Sequence, residues 1–335
     1  MKPDRIVKGT LGPYPAPEVA DAEIVELAQQ APALCRLEVI GRSTEGRPLH
    51  ALRIAAPASA GERPCLLVTA HIHAIEFIGA YVARAVAQRL VGGFGTTAHI
   101  TDLLQRAEVW VVPLLNPDGA ARVWSSAGWT RLGSARFTAQ GVDPNRNFPF
   151  VETGGRRGWN SGRDKPGSAY YRGPHPLSEP ECLALARLCK RQRFCAAVNF
   201  HSFGGVIFLP EVRGPDSTKA RHVLGTFEGP FQEHQSLRRY RPVHERSAAI
   251  IGQLDPFLLY AFGTPSVTVE VSRPGSYVLL PWNLLRIFWW ANPMRPDAWV
   301  ENDAGATIHA LIELLERSGG EPCTPALPEL AKQVC

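Results

Sequence analysis

The stretch "AHIHAIEF", residues 70–77, sets His71, His73 and Glu76 directly after the apolar run "CLLVT". His73 and Glu76 stand three apart where a strand pattern passes into a helix pattern, a bend that lets both side chains turn towards one point. Imidazole and carboxylate are donors suited to a hydrolytic zinc, which keeps three protein ligands and one open position. A third donor must then come from elsewhere, and His201, in "NFHS", is the candidate. H-x-x-E alone is a weak signal, and a lone strand histidine is more often a satisfied core residue. The bend is either the polar end of a buried strand or two thirds of a metal site.

The elements that would position these residues follow from periodicity. "PEVADAEIVELAQQA" predicts a helix with Pro17 in its first turn, inside an N-terminal extension over residues 1–35. Short strands are expected in "RLEVIGRS" and "LHALRIAA", and buried ones in "PCLLVTA", "EVWVVPLL" and "CAAVNFHS". From Ile75 to Val91 the polar residues Arg84, Gln88 and Arg89 form one narrow stripe, so this helix is mostly buried. "SEPECLALARLCKRQ" opens on a capping-box pattern, Ser178 with Glu181, and "AGATIHALIELLERSGG" predicts a final helix ending on glycines. In "SVTVEVS" Val267, Val269 and Val271 share one face while Thr268 and Glu270 share the other. Residues 124–176 show little periodicity, and long irregular segments in a compact domain are usually functional.

With 335 residues, 45% of them apolar, the chain can bury a large core without metal or disulfide help, and strands alternating with helices predict one α/β domain over 1–335. The net charge of +5 is scattered, and its densest cluster, "RRYR" at 238–241, reads as a solvated surface, so no nucleic-acid partner is expected. Seven cysteines without a CxxC pair suit buried thiols in a reducing compartment. The opening residues lack the apolar core of a signal peptide and no stretch has the length of a membrane span, which makes a cytoplasmic, membrane-free protein the expectation.

The motifs in order carry a sharper reading. "HAIE" at 73–76, "NPDG" at 116–119, "GVDPNRN" at 141–147, "HS" at 201–202 and "TVEVS" around Glu270 together resemble the zinc carboxypeptidases of the carboxypeptidase A type. The likeness extends weakly through "GRSTEGRPL", "YYRGPHPLSEPE" and "YVLLP". It implies a three-layer α/β/α sandwich with a mixed, mostly buried sheet of about eight strands, a cis peptide near Ser202, and one zinc per chain held by His73, Glu76 and His201. Zinc lowers the pKa of a bound water from near 16 to about 7. The resemblance places Asp143 behind the first histidine, where it fixes the ring's tautomer. It makes Glu270 the general base and Arg131, fifteen residues after Asn116, the donor that polarises the scissile carbonyl, with neighbouring Arg136 as substitute. Asn145 and Arg146 would grip the substrate's free C-terminal carboxylate.

Hydrolysis of the C-terminal peptide or amide bond of a peptide or peptide-like substrate is therefore the expected function. The sequence also departs from the family. The position of its mobile tyrosine holds Ala248, for which Tyr240 or His244 could substitute, and Ile75 stands where an arginine often contacts the residue upstream of the cleaved bond. Leu254 implies an apolar pocket for the released side chain, whereas Glu211 or Asp255 implies a basic preference. "FWWANPMRPDAW", 288–299, reads as packing under the last helix, with a lid or subunit contact as the alternative. These departures favour a deacylase of N-acyl amino acids on the same fold, while "NPDG" and "NRN" oppose it. A metal-free binding relative is opposed by the complete set of ligands and base.

Overall fold

The computed structural model describes residues 11–57, 62–131, 133–150, 158, 160–244 and 251–334. Its strands are β1 (Cys35–Arg42), β2 (Pro48–Ile54), β3 (Cys65–Ala70), β4 (Glu108–Val112), β5 (Ala196–Ser202), β6 (Val206–Leu209), β7 (Arg241–His244) and β8 (Ser266–Val271). The helices are α1 (Pro17–Gln30), α2 (Phe77–Gly93), α3 (Ala98–Arg106), α4 (Pro117–Ser125), α5 (Pro180–Gln192), α6 (Ser217–Gly225), α7 (Glu228–Glu233), α8 (Leu254–Phe262), α9 (Pro281–Leu284), α10 (Phe288–Ala291) and α11 (Pro296–Ser318).

All eight strands join one mixed sheet in the order β1-β2-β4-β3-β5-β8-β6-β7. The central strands β4, β3, β5 and β8 run parallel, and antiparallel pairs bring in β1, β2 and β6. Both faces are covered, as a parallel sheet requires. Val68, Phe200, Val267 and Val269 pack on one side with Ile78 and Val82 of α2 and Leu311 of α11. On the other side Leu67 and Ala197 meet Cys182 and Leu185 of α5 and Leu254 and Phe257 of α8. The valine face predicted for β8 lies on the first side, so Thr268 and Glu270 take the second.

Local chemistry differs from the sequence expectation at several points. The Ser178/Glu181 capping box does not form: α5 has Glu179 at its N-cap, with no side-chain cap. Ser178 Oγ instead donates to Glu179 Oε1 and accepts from Asn147, while Glu181 Oε1 accepts from Thr44 N. Tertiary partners outcompete the local cap. The final helix begins at Pro296, eight residues before the glycine-bounded pattern suggested, because Asn302 and Asp303 spend their polar groups inside the fold. Strands β6 and β7 have four residues each, too short to leave a periodic signal. The peptide Ser202-Phe203 is cis.

Two buried carboxyls titrate unusually. Burial pushes Asp303, which accepts hydrogen bonds from Tyr240 and Gln235, up to about 7, and it pushes Glu181 up to about 7 as well. Between about pH 4 and 7 the folded chain therefore keeps protons that the unfolded chain has released. Their contribution to stability is fully present below pH 4 and is lost as pH rises through 7, on the order of 3 kcal/mol per group. Denaturant titrations at pH 5 and pH 8 should show lower stability at pH 8, and Asp303→Asn should shrink that difference.

Candidate metal centre

The centre forms where β3, β5 and β8 end side by side. After Ala70 the chain turns through His71, in the left-handed region at φ 58°, and the bend 71–76 delivers His73 and Glu76. Asn116, the first residue of "NPDG", holds this bend from behind. Its backbone N–H donates to His71 O, its Nδ2 donates to Ile72 O and Phe137 O at 3.1 Å each, and its Oδ1 caps α4 through Gly119 N. A Cβ on Gly119 would lie 2.5 Å from Phe137 O and 2.7 Å from Ala74 Cβ, so only glycine fits there. Asp118, fully buried, accepts from Ser43, from Glu45 N and from the Arg47 guanidinium. "NPDG" is thus a clamp, and it ties the metal bend to the β1–β2 turn.

His73 Nδ1 lies 2.8 Å from Glu76 Oε1 and 3.1 Å from His201 Nδ1, and the latter lies 3.0 Å from Glu76 Oε2. His73, Glu76 and His201 are all buried. Among the described residues this is the group of three or more such side chains whose donor atoms could hold a metal ion. The test of fit is physical. Lone-pair atoms of three side chains crowd together out of water, and Glu76 Oε2 has no hydrogen-bond partner. Two imidazole nitrogens bound tetrahedrally to zinc stand roughly 3.3 Å apart, close to the separation here. Burial alone would push the Glu76 carboxyl up, but the facing His73 and His201 rings more than offset it and hold it well below the ordinary range. His71 does not join: its Nε2 lies 3.2 Å from Ala74 O, and burial lowers its pKa to about 4.

Asp143 stands behind the centre. Its Oδ1 is 3.3 Å from His73 Nε2 and accepts from Asn145 N, and its Oδ2 accepts from Arg136 Nε at 2.8 Å. Burial would raise its pKa, but the guanidiniums of Arg136 and Arg146 and the His73 ring hold it far below the usual carboxylate range. Arg131 is exposed, and the guanidinium that reaches Asp143 belongs to its substitute, Arg136. The cause is a backbone bond, Ile75 N to Ala135 O at 2.9 Å, which fastens Ala135 to the metal bend and turns the next residue inward. Counting from Asn116 cannot see that bond.

Asn145 and Arg146 occupy a 3-10 turn directly after Asp143, and both are buried. Asn145 Oδ1 accepts from Leu254 N at 2.9 Å, and Arg146 Nε donates to Asn160 O. A Cβ on Gly252 would lie 2.0 Å from Arg146 O, so this glycine, at φ 76°, lets the loop before α8 press against the turn. Glu270 follows from register: in the parallel β5–β8 pair it stands beside His201, on the same face.

Other assignments resolve differently. Tyr240 is buried and donates its hydroxyl to Asp303, so it is a core residue, not a mobile lid; His244 is exposed on β7, and Ala248 lies outside the described residues. Leu254 belongs to the core beneath α5, and Glu211 pairs with Arg213 on the surface. Asp255 is buried under the sheet face that carries Glu270, accepting from Asn199, Ser266 and Thr268. Asn292, inside the aromatic stretch, donates to Ile75 O and accepts from Ile78 N, so this stretch packs and also braces the metal bend.

A family model for zinc carboxypeptidase matches residues 21–289. The chain belongs to the zinc carboxypeptidase family. It is 30% identical over 206 residues to mouse (Mus musculus) carboxypeptidase A2, covering 59% of this chain and 47% of that protein. It is 29% identical over 201 residues to human (Homo sapiens) carboxypeptidase B, covering 58% and 46% respectively. The chain therefore spans about half the length of these relatives. The crystal structure of thrombin activatable fibrinolysis inhibitor superposes with a TM-score of 0.73 at 19% identity, over 90% of this chain and 74% of that one. Carboxypeptidase A from Helicoverpa armigera gives 0.70 at 20%, over the same shares. The carboxypeptidase fold is thus shared across most of this family member.

In this zinc carboxypeptidase relative, Asp143→Asn should keep the side chain's shape while weakening its hold on His73. Zinc affinity, read by competition with a chromophoric chelator, should fall by about 10- to 100-fold.

Proposed function

We propose that this chain is a zinc-dependent carboxypeptidase that hydrolyses the C-terminal peptide bond of a peptide bearing a free terminal carboxylate. The observation that carries the reading is the continuity of one turn, in which Asp143 lies against His73 and the buried guanidinium of Arg146 follows three residues later. An exopeptidase needs its carboxylate anchor at a fixed distance from its metal, and here both hang on the same backbone. His73, Glu76 and His201 would hold one zinc ion, which when bound supplies a Lewis acid and acidifies a water.

The chain's own groups do the remainder. Glu270, beside His201 across the parallel register, takes the proton of the attacking water and returns it to the leaving amine. Arg136 is held in its charged form by Asp143 and Glu76, whose carboxylates outweigh the effect of burial, and stabilises the negative charge that develops on the carbonyl oxygen. The planar fork of Arg146, with Asn145 beside it, takes the terminal carboxylate.

Turnover of an N-blocked dipeptide against an N-acetyl amino acid tests the reading. Preference for the dipeptide is expected, and preference for the acetyl substrate would make the chain a deacylase instead. Glu270→Gln should abolish turnover with zinc content unchanged. Arg136→Ala should lower kcat by about 100- to 1,000-fold, whereas Arg131→Ala should leave it near wild type.

A further inference from the structure

Residues 160–172 of the irregular region come back to the centre. Arg163 N donates to Tyr170 O, Arg172 N donates to Arg163 O, and the following carbonyls are taken up by the site itself. Asp143 N donates to Tyr171 O at 2.8 Å, and Asn147 Nδ2 donates to Arg172 O at 2.8 Å. Tyr170 is therefore fixed by its neighbours on the backbone of the 143–147 segment. Its half-buried ring lies under two cations: the guanidinium carbon of Arg136 is 5.5 Å from the ring centroid and that of Arg146 is 5.4 Å.

Two like charges converging on one substrate repel each other, and Asp143, their shared carboxylate, is already engaged with His73 and Asn145. An aromatic face attracts a guanidinium electrostatically and also limits the rotamers of its long side chain. We infer that Tyr170 is a positioning residue that holds Arg136 and Arg146 together through its ring, so that one cation meets the developing oxyanion while the other meets the terminal carboxylate. The inference rests on the peptidase reading and adds to it Tyr170, the first residue of "YYRGPHPLSEPE", to which the motifs assign no role. Both guanidinium contacts are made to the ring face, so phenylalanine should serve and leucine should not.

The test compares full-length wild type, Tyr170→Phe and Tyr170→Leu, each zinc-loaded, on the N-blocked dipeptide. Tyr170→Leu should raise KM and lower kcat, each by roughly tenfold, while Tyr170→Phe stays within about twofold of wild type. Zinc content and thermal midpoint should not move. A second readout is independent of turnover: modification of Arg136 and Arg146 by an arginine-directed dicarbonyl reagent, followed by peptide mass spectrometry, should be faster in Tyr170→Leu only. Unchanged labelling in Tyr170→Leu, an equal loss in Tyr170→Phe, or a loss accompanied by departure of zinc would each overturn the inference. If the wild type leaves the dipeptide uncut, the peptidase reading falls, and the labelling still decides whether Tyr170 orders the two guanidiniums.

Discussion

Two imidazole nitrogens and a carboxylate, within about 3 Å of one another and out of contact with water, form an arrangement that repels itself unless a cation is shared among them. The rest of the structure serves to impose this crowding. A carboxylate taken from water unpaired costs several kcal/mol. The ends of two adjacent parallel strands, β3 and β5, bring the donors together, and side-chain clamps prevent the bend between β3 and α2 from relaxing. Asn116 holds it from the α4 side and Asn292 from the α10 side, each by bonds to buried backbone groups. Severing such a bond leaves a buried donor or acceptor without a partner, which costs about 1–3 kcal/mol.

Behind the donors lies a second set of charges arranged around Asp143. One carboxylate attracts the His73 ring, the Arg136 guanidinium and the backbone of the turn that carries Arg146. Orientation of the His73 ring and placement of the two guanidiniums are consequently not separate devices. A change at Asp143 bears on both, because His73, Arg136 and Arg146 all face its carboxylate.

Much of this was legible in the sequence for physical reasons. The strand-to-helix bend at 70–77, the alternation of β8 and the continuous apolar runs of β3, β4 and β5 are periodic signals that burial enforces, and the donors sit at their ends. The valine face of β8 placed Glu270 on the correct side of the sheet. What failed to show are features made by contacts distant in sequence. Arg136 lies against Asp143, next to an Ala135 that is fastened to the bend by one hydrogen bond from Ile75. Ser178 gives up its cap to Asn147, and Tyr240 goes inside because Asp303 accepts its hydroxyl. Asn292 had a faint signal, an amide among aromatics before a proline, but nothing local says that its partners are Ile75 and Ile78. Within the region read as irregular over 124–176, Tyr171 and Arg172 are bonded to Asp143 and Asn147, which gives them a fixed course near the site.

The most direct measurement is X-ray absorption at the zinc edge of protein purified without added metal, alongside His201→Ala. One ion per chain, with only nitrogen and oxygen neighbours at about 2.0–2.1 Å and one imidazole fewer in the variant, is the expected result. Sulfur neighbours near 2.3 Å, or a shell identical in the two proteins, would contradict the shared-cation centre on which the account stands.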